Sequence, residues 1–226
     1  MKLRLLITLI TLALLGAGHG FVSAAGPLDR HPQAAEPEIT EAEVRVVAER
    51  PSVPGYERSC KAGKRCVFGP AWSDDVDVRH GRNGCDQRSD VLRETLEQIK
   101  IKPGTSGCVV ASGVLHDPYT GQTVTYQRTG NTEVVADHVV PLAAAWDLGA
   151  AHWTPRKRQN FANDPRNLII TTSGPNLDKG DKTPGEWMPE RHSCQYAQTY
   201  LEVASRYGVA LTREDQRSLS AAMRDC

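Results

Sequence analysis

Along this chain the apolar residues change their spacing several times, and each change predicts an element. Met1 to Gly16 is an almost unbroken apolar run behind Lys2 and Arg4, followed by small residues around Val22-Ser23-Ala24-Ala25. A basic end, an apolar stretch and then small residues predict a secretory signal peptide over 1–25. The run is short for a bilayer span and ends in Gly and His rather than in a basic stop, so no membrane anchor is expected. Residues 26–55 lose all period and are rich in Pro, Glu and Ala. They read as a flexible, acidic and Pro-rich linker. The folded unit is then expected over 56–226, a length that suits one domain with its own core.

Helical spacing starts at SDVLRETLEQIKI, where Val91, Leu92, Leu96 and Ile99 share a face and Ser89 or Asp90 can cap. Lys102-Pro103-Gly104 ends it. Cys108–Leu115 and Gln122–Arg128 read as two strands around the turn Asp117–Gly121, a β-hairpin. Glu133–Val140 is another β run and delivers Asp137 and His138 at its end. Pro141 suits the first turn of a helix through LAAAWDLGA, and Pro155–Phe161 is a second helical piece. Asn167–Thr172 is a strand, Ser173-Gly174-Pro175 a turn, and Asn176 opens a further turn toward Glu186-Trp187. Ser193–Tyr207 places Tyr196, Tyr200, Leu201 and Ala204 on one helical face. Thr212, three residues before Asp215, resembles the cap of a last helix reaching Arg224. Strands, a hairpin and separate helices together predict an α+β domain.

Charge adds one constraint. The chain has 27 basic and 27 acidic residues, and loss of Lys2 and Arg4 with a signal peptide leaves it slightly acidic. Tight nucleic-acid binders are usually basic, because neutralising phosphates supplies much of their affinity. Balance argues against a stable binder of that kind, and less against an enzyme that needs only a local positive groove. Arg156-Lys157-Arg158, Lys179 with Lys182, and Lys61 with Lys64-Arg65 are the candidate patches. Six cysteines stand at 60, 66, 85, 108, 194 and 226. An even number in an exported chain indicates disulfides rather than zinc, since no CxxC pair is present. Spacing alone leaves every pairing open; neighbours in sequence, Cys60–Cys66, Cys85–Cys108 and Cys194–Cys226, are the expectation.

The chemistry concentrates between Val134 and Pro189. Hydrolysing a phosphodiester needs an activated water, a sink for the charge that develops on phosphorus, and help for the departing oxygen. A hard divalent cation serves the last two and prefers oxygen donors, which Asp137 and the Asn176 amide can supply. His138 is the candidate general base, because an imidazole is largely neutral near neutral pH. Neighbouring side chains point to opposite faces of a regular strand, so joint use of Asp137 and His138 requires the strand to end or bulge there. Asn167 is expected to fix the loop that presents His138, and Lys179 to contact a phosphate. Trp146, Trp153 and Trp187 lie beside helix-forming apolar residues and read as core rather than as platforms for bases.

Three stretches, ADHVVPLAAAWDLGA, FANDPRNLIITTSGPN and NLDKGDKTPGEWMP, resemble the secreted HNH endonuclease family related to the C-terminal domain of GmrSD restriction endonucleases. NGCDQRSDVLRE, GVLHDPYTG and the CQYAQTYLEVASRYGV segment extend the resemblance over about 56–226. It implies a ββα-metal (HNH, His-Me finger) core embedded in a mixed helical domain, with Mg²⁺ or Mn²⁺ as cofactor. By position it gives His138 the role of base, Asp137 and Asn176 the metal, and Asn167 the orienting role. Gln87 stands where the family pattern has Thr, and Gly185 where a helix former is usual, which is expected to loosen the start of the last helix. The implied protein is a secreted endonuclease that acts on nucleic acid, DNA before RNA, with little sequence preference. Two other readings use the same residues: a catalytically silent secreted binding protein on this fold, and a nuclease toxin matched by a protein inhibitor.

Overall fold

The computed structural model describes residues 44–130, 133–224 and 226, so the expected signal peptide lies outside the described chain. Residues 44–55, expected to be linker, are instead part of the packed domain. Val44 is buried, and Val47 and Val53 pack against the same core. Strand β1 (Val46–Val47) pairs in parallel with β7 (Leu211–Thr212). Arg50 Nε lies 2.8 Å from Asp147 Oδ2, and the Val53 amide donates to Asp147 Oδ1 at 2.9 Å. The Trp146 indole closes the clasp by donating to the Val53 carbonyl. Scattered valines with no period gave no signal of this, because the segment is held by residues far along the chain.

Helix α1 (Gln87–Thr95) is capped by Asp86, whose side chain accepts from the Ser89 amide; Ser89 and Asp90 are inside the helix and buried. The helix stops earlier than the apolar spacing indicates. Leu96 turns to extended backbone and stays buried, and Glu97–Ile101 becomes strand β2, with Ile99 and Ile101 exposed. The apparent helical face therefore splits between two elements. β2 joins β3 (Val110–His116) and β4 (Thr123–Gln127) in an antiparallel sheet.

The next unit carries the candidate chemistry. Strand β5 (Val134–His138) pairs antiparallel with β6 (Leu168–Thr172), with Asp137 opposite Ile169 and His138 opposite Leu168. Between them run α2 (Leu142–Asp147), a short 3₁₀ turn, α3 (Pro155–Asn163) and a second 3₁₀ turn, Pro165–Asn167. After β6 the chain enters helix α4 (Ser173–Lys179), where the sequence reading had only turns. Two antiparallel strands and a helix thus follow one another around Asp137 and His138. Asp117, in the hairpin turn, docks the neighbouring sheet on this unit. It accepts from Thr171 Oγ1 at 2.8 Å, Thr172 Oγ1 at 2.6 Å and the Thr172 amide at 3.2 Å.

Helices α5 (Ser193–Tyr207) and α6 (Arg213–Arg224) close the domain over the larger core. Thr212 and Asp215 bond each other's backbone amides, a reciprocal cap at the start of α6. Gly185 does not loosen that start. A side-chain carbon there would lie 2.7 Å from Glu214 Cβ, and its amide donates to Asp215 Oδ1, so glycine permits the close approach. The disulfides are Cys60–Cys66, Cys85–Cys108 and Cys194–Cys226.

Candidate active site

β5 ends at His138, and this strand end lets consecutive side chains border one cleft despite the strand's alternation. Asp137, His138 and Asn176 line that cleft together with Tyr56, Arg58 and Asp181. Of the five residues singled out in the sequence, these three share a wall. Asn167 and Lys179 act from behind it.

The His138 ring is held on an edge and a face. Its Nε2 lies 2.8 Å from the Ala162 carbonyl, at the end of α3. A carbonyl only accepts, so Nε2 carries the proton and Nδ1 keeps the free lone pair. The Trp72 ring lies nearly parallel to the imidazole, 8° apart in plane with centroids at 5.9 Å. Burial is the main reason that protonation of this ring is pushed down to about 3; the Ala162 bond opposes the shift, and Arg58 and Lys179 add to it. His138 is therefore a neutral imidazole throughout the neutral range, the state that a proton acceptor requires.

Asp137 is nearly buried and fully engaged on its inner side. Tyr119 donates its hydroxyl to Oδ2 at 2.9 Å, and Lys179 Nζ stands 3.0 Å from Oδ2 and 3.3 Å from Oδ1. The same ammonium donates to the His138 carbonyl at 2.8 Å. Lys179 is fully buried, and desolvation lowers its affinity for a proton although Asp137 opposes that. The expected phosphate contact is therefore corrected: Lys179 spans Asp137 and the His138 backbone, away from any incoming anion. A carboxylate offers about four lone-pair sites, and these three contacts leave room for another cation.

Asn167 bonds backbone only. Its Oδ1 accepts from the Val140 amide at 2.8 Å, its Nδ2 donates to the Val140 and Phe161 carbonyls at 3.4 Å, and its carbonyl accepts from the Val139 amide. It ties the loop after His138 to the segment that carries Ala162. Asn176 is half-buried on α4 and faces the cleft. Asp181 borders the cleft as well and is ion-paired to Arg50 at 3.0 Å.

Sequence reasoning did not find Trp72, Tyr119, Arg58 or the Ala162 carbonyl. Trp72 and Arg58 lie far before the DH pair along the chain, Tyr119 sits in a hairpin turn, and a backbone carbonyl has no signature in sequence. Trp146 is core as expected, and Trp153 and Trp187 pack against it. No group of three or more His, Cys, Asp or Glu suited to a metal is found among the described residues. An oxygen site built from one carboxylate and one amide lies outside that pattern.

A model of the family described as GmrSD restriction endonucleases, C-terminal domain, matches residues 86–222. A protein of Arthroderma benhamiae named "Uncharacterized secreted protein" is 36% identical over 146 residues, 63% of this chain and 68% of the relative. No solved structure matches the chain.

Proposed function

The chain belongs to the GmrSD restriction endonuclease C-terminal domain family, and from this we propose that it is an exported, divalent-metal-dependent endonuclease that hydrolyses phosphodiester bonds, DNA before RNA. One observation carries the reading: Asp137, His138 and Asn176 border a single cleft, with the imidazole's proton fixed on the nitrogen that faces Ala162. β5, β6 and α4 are read as its ββα-metal core.

In this reading His138 Nδ1 takes a proton from water as the water oxygen bonds to phosphorus. One ester P–O bond breaks, and the departing sugar oxygen gains a proton from solvent. The Ala162 carbonyl, which holds Nε2–H, stabilises the imidazolium as it forms. Asn167 keeps the loop at the angle this requires, and Trp72 excludes water from one face of the ring. Asp137 and the Asn176 amide would hold the metal, which supplies charge neutralisation at the phosphate and the leaving oxygen. Their oxygen donors fit a hard cation such as Mg²⁺ or Mn²⁺. Lys179 already offsets the Asp137 charge, so the substrate phosphate completes the site and metal affinity without nucleic acid is low. The relative's name and the three disulfides support export.

Purified protein is expected to degrade plasmid DNA with Mg²⁺ or Mn²⁺ and to stop on chelation. His138→Ala should lose at least about a hundredfold in rate while its circular dichroism spectrum shows the fold retained. Cleavage at the parent rate in that variant would remove His138 as the base. A wild-type protein inert on both DNA and RNA with metal would leave the silent binding protein as the better reading.

A further inference from the structure

The ionisable groups around the cleft are unevenly matched. Asp137 is paired with Lys179, and Asp181 shares Arg50 with Asp147. His138 is neutral. Arg58 is exposed, and its guanidinium makes no ion pair or hydrogen bond within the described residues. Arg58 is thus the one cationic side chain among the described residues that line the cleft, and its planar fork suits phosphate oxygens. Once Lys179 is turned onto Asp137, Arg58 is the lining residue able to meet an anion.

Its position adds a second fact. Arg58 and His138 border both the cleft and an adjoining recess of about 160 Å³. That recess has mainly apolar walls, among them Phe68, Pro70, Trp72 and Leu142. A nucleotide has the same division, an anionic phosphate joined through a sugar to a flat, largely apolar base. The backbone around Arg58 is also fixed. The Val67 amide donates to the Glu57 carbonyl at 3.0 Å and the Cys66 amide to the Ser59 carbonyl at 3.1 Å, with the Cys60–Cys66 disulfide across the pair.

We infer that Arg58 anchors the substrate phosphate at this site and that the recess behind it receives the nucleoside joined to that phosphate. The inference rests on the nuclease reading and deepens it. Both Arg58 and Trp72 precede residue 86, where the family match begins, so a segment outside that match completes the site.

The test is binding of a fluorescently labelled DNA to the full chain in chelator, where no cleavage occurs, measured by anisotropy across salt concentrations. Arg58→Ala should weaken binding about tenfold and reduce the slope of log affinity against log salt by about one. Arg58→Lys should recover part of the affinity, since a point charge replaces the fork. Ala71 is exposed at the border of the recess, and Ala71→Trp should weaken binding with the salt slope unchanged. Thermal melting of each variant monitors the fold. If wild type cuts plasmid with metal and Arg58→Ala binds with parental affinity and slope, the anchoring role is overturned while the nuclease reading stands. If Ala71→Trp binds as the parent does, the recess assignment fails. A wild type that neither binds nor cuts nucleic acid overturns both readings.

Discussion

Asn167 shows how much a single amide can hold. Its oxygen satisfies a buried backbone donor and its nitrogen two buried carbonyls, all on the strands of chain that position His138. Asn167→Ala leaves the Val140 amide without its partner, a cost of about 1–3 kcal/mol for a buried group. A chemical denaturation curve should show that loss, accompanied by slower cleavage. Asp117 is a second such residue. Burial raises its affinity for a proton, but the bonds from Thr172, the Tyr119 amide, Thr171 and Thr120 outweigh that and hold the carboxyl below its ordinary range. The sign follows from linkage. Its contribution to stability is fully present above the unfolded carboxyl value, about 3.9, and is lost as pH falls through the lower folded value. Asp117→Asn should be less stable than the parent at neutral pH and should show a smaller further loss as pH falls below about 4. Denaturation midpoints measured across that range decide it.

At the scale of elements, the legible parts were those whose signal is local. The DH pair ends a β run, Pro141 precedes α2, and Thr212 caps α6, and each can be read from a few neighbouring residues. α1 misled because Leu96 and Ile99 continue a helical spacing. Pairing with β3 draws the chain into a strand at Glu97, and no residue near Thr95 announces that partner. α4 was read as turns because Gly174 and Pro175 dominate its composition, although proline is tolerated in a first helical turn. The pairing of α5 with α6 is stapled by Cys194–Cys226. Replacing both cysteines with serine should lower stability by about 3–4 kcal/mol, with calorimetry as the measure.

For the molecule as a whole, the divide between legible and hidden follows distance along the chain. Asp137, His138, Asn167 and Asn176 fall within one stretch whose order can be recognised. The groups that tune them come from elsewhere: Trp72 covers the imidazole, Tyr119 bonds Asp137, and Arg50 balances Asp181. The burial of Lys179 was hidden for the same reason, since the groups it bonds, the Asp137 carboxylate and the His138 carbonyl, come from β5. Residues 44–55 illustrate this at domain size. A chain starting at Tyr56 loses the buried Val44 and the Arg50–Asp147 clasp. It should unfold with at least about 2 kcal/mol less stability than the longer chain, from the valine alone. Comparing the thermal midpoints of the two forms checks this.

The short loop closed by Cys60 and Cys66 borders the same recess as Trp72 and the imidazole. The disulfide spans the segment that runs from Arg58 to the wall facing Trp72, so the width of the recess is set by a covalent link as well as by the amide bonds of Cys66 and Val67.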